Sequence, residues 1–102
     1  MLVMKKIKVA INGFGRIGRA FLKIAWDRPE IELVAVNDLG SLESLTYLLK
    51  YDTVYKTWGH DVKHDGKDIW VDDEKVAFSS EKDTSRLPWK DVDVAVVVES
   101  TG

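Results

Sequence analysis

Apolar residues along this chain follow two different periods, and the switch between them marks out the elements. Ile7, Val9, Ala10 and Ile11 form a short apolar run, and Ile17, Ala20, Phe21, Ile24 and Ala25 then recur at i, i+3, i+4, i+7 and i+8. The run predicts a buried strand and the repeat predicts a helix with that face turned inward. The helix should stop at Asp27-Arg28-Pro29, because a proline biases the residue before it out of the α region. Ile31 to Val36 reads as a second strand ending in Asn37-Asp38, and Leu42, Leu45, Leu48 and Leu49 form the stripe of a second helix reaching Lys50. Ser41 is placed to cap it. From Tyr51 to Ser80 the helical period disappears and short alternating runs replace it. There Asp65-Gly66 predicts a two-residue hairpin turn between 60–63 and 67–71, and Val76 to Ser79 a third short strand after a turn at Asp72-Asp73. Glu81 to Ser85 is a polar loop, Leu87-Pro88-Trp89 a tight apolar turn against the bottom of the sheet. Val92 to Val98 is almost unbroken valine, the pattern of a parallel strand covered on both faces.

The joint between the first strand and the first helix carries the chemistry. Gly13, Gly15 and Gly18 are spaced G-x-G-x-x-G. In a dinucleotide site the first glycine makes the tight turn, the second lets a pyrophosphate approach the backbone, and the third lets the helix pack closely. The phosphates then meet unpaired amides at a helix N-terminus. Glycine triplets in this register are common, so context decides: a strand precedes the triplet, a helix follows, and Asp38 closes the second strand twenty residues beyond Gly18. A carboxylate there reaches an adenosine ribose, accepts from its free hydroxyls and repels a 2′-phosphate, which favours NAD over NADP. Gly40-Ser41 directly after leaves room for a 2′-phosphate, so dual use stays open. The implied fold is α/β: a Rossmann-type doubly wound parallel sheet, incomplete, with the first βαβ half, a small antiparallel insertion and one further parallel strand.

Composition narrows this. At 102 residues the chain is one small domain, below the roughly 150 residues that a two-half dinucleotide fold tends to need. A net charge of -2 excludes the basic bias of a general nucleic-acid binder, and the lack of cysteine excludes a disulfide, a thiol nucleophile or a thiolate metal site. No apolar run approaches the length of a membrane span and Met1 to Lys6 does not form a signal peptide, so the expected location is cytoplasmic. His60 and His64 stand four apart, but on a strand and its turn that spacing does not converge on a metal, and both read as solvated loop histidines. Asp52, Asp61, Asp65, Asp72 and Asp73 read as turn formers, and Trp26, Trp58, Trp70 and Trp89 as packing residues. No catalytic or metal-ligating residue is expected.

Taken together, these pieces resemble the glyceraldehyde-3-phosphate dehydrogenases. The matching stretches are Ile11-Asn12-Gly13-Phe14-Gly15-Arg16-Ile17-Gly18-Arg19, Val36-Asn37-Asp38, the run from Tyr47 to Val54, Glu81-Lys82-Asp83, Leu87-Pro88-Trp89 and Glu99-Ser100-Thr101-Gly102. They span nearly the whole chain. The resemblance implies that Asn12 belongs to the cofactor loop, that Arg16 and Ile17 present amides to the NAD pyrophosphate, and that Asp38 takes the ribose hydroxyls. It also implies that Lys82 lies on the adenine side and that Ser100, Thr101 and Gly102 form the loop under the cofactor toward the nicotinamide ribose. Two positions depart from the family pattern, Lys56 where a glycine is usual and Thr84 where a proline is common. In the family the catalytic cysteine, its histidine and the phosphate-binding residues lie beyond Gly102, so the expectation is an N-terminal cofactor-binding portion that is inactive alone. Two alternatives remain: a stand-alone nucleotide-binding or assembly module, and part of an erythrose-4-phosphate dehydrogenase. The expected partners are the nucleotide and either a second copy or a completing polypeptide, since the edge beside the valine strand is exposed.

Overall fold

The computed structural model describes residues 6–51, 58–87, 89 and 93–101. Its elements follow in the order β1 (Ile7–Asn12), α1 (Arg16–Trp26), β2 (Ile31–Asn37), α2 (Leu42–Tyr51), β3 (Val62–His64), β4 (Ile69–Val71), β5 (Glu74–Ser79) and β6 (Val96–Glu99), with a 3₁₀ turn at Thr84–Arg86. One six-stranded sheet runs in the order β3-β4-β5-β2-β1-β6. Strands β5, β2, β1 and β6 are parallel, while β3-β4-β5 is an antiparallel meander. The expected α/β architecture is present, and β5 joins the insertion to the parallel sheet instead of leaving it alongside.

Helices α1 and α2 pack on one face, where Val9, Ile11, Leu22, Leu33, Val36, Leu45, Leu49 and Val76 share a core. On the opposite face Trp89 covers Ala10 and Ala35, with Leu87 and Val94 beside it. The β1/β2 register shifts between Val9 and Ala10. A bulge there lets β2 place Leu33 and Val36 with the helices although two residues separate them.

Helix α1 buries a face rotated from the predicted one: Phe21 and Ala25 of the expected stripe pack on the core, but Ile17 and Ile24 do not. Gly18, Leu22 and Ala25 are buried, at i, i+4 and i+7, whereas Ile17 and Ile24 are 74% and 66% exposed. The reason is Gly18: seating the side-chain-free position in the tightest contact fixes the helix rotation and swings Ile17 and Ile24 outward. The valine strand also differs. It begins at Val96, lies at the sheet edge, and leaves Val96 47% and Val97 41% exposed. Its apolar content predicts cover on both faces, but among the described residues only Val98 packs on the helix side and Val94 beside Trp89, and Val96 and Val97 stay exposed. Its expected start at Val92, like Pro88, Asp52, Val54 and Lys56, lies outside the described residues.

Both expected turns are present, but the first is longer than predicted. His64 pairs with Ile69, so four residues, Asp65 to Asp68, connect β3 and β4, while the two-residue turn is Asp72-Asp73, both at positive φ. Two left-handed residues give the twist that a tight hairpin needs. Asp65 organises the longer loop: Oδ1 accepts from the Lys67 and Asp68 amides at 2.9 and 2.7 Å, and Oδ2 from Trp70 Nε1 at 2.9 Å. The Asp68 amide first, and then the Trp70 indole, hold this carboxyl down at about 2 against an ordinary 3.8. A depressed carboxyl contributes stability above its unfolded value and loses it as the pH falls through its folded value. The urea midpoint is therefore expected to fall as the pH drops from about 4 to about 2, and Asp65→Asn should remove part of that fall. An unchanged pH profile in the variant contradicts the assignment.

His60 is more than a solvated loop residue. Its Nδ1 meets Asp72 and its Nε2 lies 3.1 Å from Asp27 Oδ1, so the ring bridges the β4-β5 turn to the C-cap of α1. Its ring also lies 4.5 Å from that of Trp58, which meets Trp26 edge-on. Polar partners 33 residues away in sequence leave no local signal. His64 remains exposed, its Nδ1 accepting from the Gly66 amide.

Candidate cofactor site

The carboxyl ends of β1, β2, β5 and β6 all open on one cleft of about 620 Å³. The glycine turn forms its base. Gly13 has φ +95°, and a Cβ there would come within 2.6 Å of the Thr101 amide nitrogen, so the turn and the loop after β6 are in direct contact. Phe14 is fully buried and Arg19 Nη1 donates to its carbonyl at 3.0 Å, which holds the turn onto α1. The Ser100 amide donates to the Asn12 carbonyl at 2.9 Å, and the Ser100 hydroxyl donates to that of Gly13. Gly18 faces this knot, where a Cβ would lie 2.9 Å from Ser100 Oγ and inside contact distance of the Gly13 carbonyl.

Gly15 is different. It is the N-cap of α1, it makes no side-chain cap bond, and a Cβ there would meet nothing within 4 Å. No acidic residue occupies the first turn of α1. The first amides of a helix need an acceptor and its dipole favours a negative one. Open space at Gly15, with an uncapped helix end beside it, fits a phosphate group pressed against backbone. Arg16 and Ile17 stand in that first turn with exposed side chains, leaving their amides as the relevant groups.

Asp38 forms the facing wall. Its Oδ1 accepts from the Phe14 amide and its Oδ2 from the Gly40 amide, both at 2.8 Å. Each oxygen keeps a lone-pair site for a further donor. The carboxylate thus ties the end of β2 to the glycine turn and still has acceptor capacity toward the cleft. Ser41 caps α2 as expected, its Oγ accepting from the Ser44 amide at 3.2 Å. Leu39 adds an exposed apolar side chain to the cleft, which Lys82 and Thr84 also line. Thr84 opens the 3₁₀ turn, which Asp83 caps by accepting from the Ser85 amide at 3.0 Å and its hydroxyl at 2.7 Å. The Ser85 hydroxyl and amide lower the Asp83 carboxyl from its ordinary value.

Of the residues expected from the sequence, Asn12, Gly13, Gly15, Asp38, Lys82, Ser100 and Thr101 line this cleft. Arg16 and Ile17 follow at its rim, Gly18 supports it from behind, and Gly102 lies outside the described residues. Sequence reading missed Asn37 and Glu81. Asn37 is the register partner of Asn12 on the neighbouring strand, so two amides ending two adjacent strands were the available signal. The four tryptophans do not line the cleft. A second hollow of about 340 Å³ lies at the amino ends of the strands, where Lys6, Arg28 and Lys75 are mixed with Asp27, Glu32 and Glu74. Cations and carboxylates interspersed in this way offer no clear site for a dianion. Among the described residues no group of acidic or histidine side chains could hold a metal, and no helix is long and apolar enough to cross a membrane.

Comparison with known proteins agrees with this geometry. The family model for the glyceraldehyde 3-phosphate dehydrogenase NAD binding domain matches residues 7–102. A glyceraldehyde-3-phosphate dehydrogenase of Thermotoga maritima is 47% identical over 97 residues, covering 93% of this chain and 29% of that protein. One from Bacillus cereus is 46% identical over 95 residues, with 93% and 28% covered. Glyceraldehyde-3-phosphate dehydrogenase 3 of Saccharomyces cerevisiae is 43% identical over 97 residues, with 94% and 30% covered. The chain therefore spans less than a third of the length of these relatives. The glycine turn, the uncapped helix and the acid at the end of β2 all lie within the matched region, and the chain belongs to the glyceraldehyde-3-phosphate dehydrogenase NAD-binding domain family.

Proposed function

We propose that residues 1–102 form part of an NAD(P)-binding domain that holds the adenosine and pyrophosphate half of NAD. Within this reading the Arg16 and Ile17 amides take the pyrophosphate over Gly15, and Asp38 accepts from the ribose hydroxyls. Lys82 and Leu39 border the adenine, and Ser100 and Thr101 lie toward the nicotinamide side. The observation that carries the proposal is the uncapped N-terminus of α1, opening beside Gly15 into the cleft that Asp38 faces. When bound, NAD would supply the hydride acceptor; this chain's residues bind and orient it.

The whole protein's activity is then the oxidation of glyceraldehyde 3-phosphate with NAD and phosphate to an acyl phosphate, in the cytoplasm. Such chemistry needs a thiolate to attack the aldehyde, and the chain has no cysteine. Purified chain is expected to form no NADH from glyceraldehyde 3-phosphate, NAD and phosphate, and NADH formation above background would overturn that division of labour. The exposed Val96 and Val97 on the edge strand support association with a second copy or with a completing polypeptide.

Asp38→Asn tests the ribose reading. An amide can accept on one side only, so it cannot satisfy both the Phe14 and Gly40 amides and a hydroxyl. NAD affinity should fall roughly tenfold or more while the NADP-to-NAD ratio rises, since a charge-assisted hydrogen bond is worth about 1.5–3 kcal/mol. Equal losses for NAD and NADP would place Asp38 in loop support alone.

A further inference from the structure

The geometry points to Asn37, whose amide sits at the edge of the cleft, as a positioning residue that sets the adenine-side wall through the backbone of Glu81. Its side chain is buried at the end of β2, only 3% exposed, and all of its hydrogen bonds are intramolecular. Nδ2 donates to Asn12 Oδ1 and to the Glu81 carbonyl, both at 3.0 Å. Oδ1 accepts from the Glu81 amide at 2.8 Å and the Ser79 hydroxyl at 2.9 Å. Asn37 thus pairs with both the N–H and the C=O of Glu81, as the backbone of a neighbouring strand would.

The location explains why such a grip is needed. Strand β5 ends at Ser79, and its ladder with β2 ends at the pair Asn37 and Ser79. Beyond it the chain must turn across the end of β2 to bring Lys82 and Thr84 to the cleft. Apart from the Asp38 amide donating back to the Ser79 carbonyl at 3.0 Å, the side chain of Asn37 is what continues the pairing. Asn12 carries the connection sideways, its Nδ2 donating to Glu99 Oε2 at 3.0 Å. A row of side-chain amides therefore links the ends of β6, β1 and β2 with the segment after β5. Burial raises the cost of breaking any link, because each orphaned group would stay desolvated.

This inference rests on the adenosine half-site proposed above. It assigns Asn37 to the adenine wall and leaves the phosphate position at α1 independent of it. The test compares the full chain with Asn37→Ala and Asn37→Asp, titrating with ADP-ribose and with inorganic pyrophosphate and following backbone amide resonances. Both variants should bind ADP-ribose at least tenfold more weakly and pyrophosphate as the parent does. ADP-ribose bound equally by parent and variants overturns the positioning role, as does an equal loss for both ligands. A parent that binds neither ligand overturns the underlying half-site as well, a separate outcome. Hydrogen exchange on the unmodified chain gives a check that does not depend on the variants folding. The Glu81 amide should exchange at least tenfold more slowly than the amide of the exposed Lys82, and equal rates would contradict the grip.

Discussion

Replacing Gly15 with aspartate is expected to raise the melting temperature and abolish dinucleotide binding. The two effects come from one place. Gly15 is the N-cap of α1 with extended φ and ψ of -77° and -160°, and a Cβ there meets nothing within 4 Å. An aspartate fits without displacing anything and can accept from the amides of the first turn. Capping and dipole terms together contribute roughly 0.5–1 kcal/mol, which for a domain of this size is a rise of a few degrees, about 2–8 °C. The carboxylate occupies the place proposed for the pyrophosphate. A like charge about 4 Å away costs on the order of 4 kcal/mol at an effective dielectric of 20, roughly a thousandfold in affinity for NAD or ADP-ribose. Thermal unfolding and titration on one preparation check both. Retained binding would move the phosphate away from α1, and a lowered melting temperature would make Gly15 a packing glycine.

Gly18→Ala should do the reverse on stability and lower the melting temperature by several degrees. In an exposed helix interior the same change gains about 1 kcal/mol of propensity. Here the new methyl would lie 2.9 Å from Ser100 Oγ and 3.1 Å from Ile11 Cγ2, and closer still to the Gly13 carbonyl. The last of these is backbone, held by the Ser100 hydroxyl and close to the Gly13 amide that donates to the Asn37 carbonyl. Overpacking costs about 1–3 kcal/mol and more where backbone must move, which outweighs the propensity and removes part of the 5–15 kcal/mol that small domains possess. Gly59→Ala, where a Cβ meets nothing within 4 Å, serves as the neutral control. Circular dichroism melts of the two variants decide it, and a Gly18→Ala chain as stable as its parent contradicts the packing role.

These two glycines mark the boundary between what could be read from the sequence and what could not. The triplet, the strand before it, the helix after it and Asp38 were legible because each rests on short-range spacing. The inward face of α1 was not, since Ile17 and Ile24 fit a helical stripe as well as Leu22 does. Only the contact made by Gly18 selects the rotation. The hairpin misreading has a similar origin: Asp-Gly is the stronger local turn signal, yet Asp65 closes a longer loop through its own side chain, while Asp72-Asp73 accepts left-handed backbone. Long-range polar pairs were out of reach altogether. Asn37 meets Glu81 across 44 residues and His60 meets Asp27 across 33, and neither leaves a periodic trace.

Calorimetric titration of the purified chain with NAD, ADP-ribose and NADP at one salt concentration tests most directly the claim that an adenosine and pyrophosphate half-site is already formed here. NAD and ADP-ribose should bind with the same affinity within about threefold, because the nicotinamide end has little to hold it, and NADP should bind at least tenfold more weakly because Asp38 repels its extra phosphate. Absence of heat and of binding for all three ligands, from a chain that is folded by circular dichroism, would contradict the account.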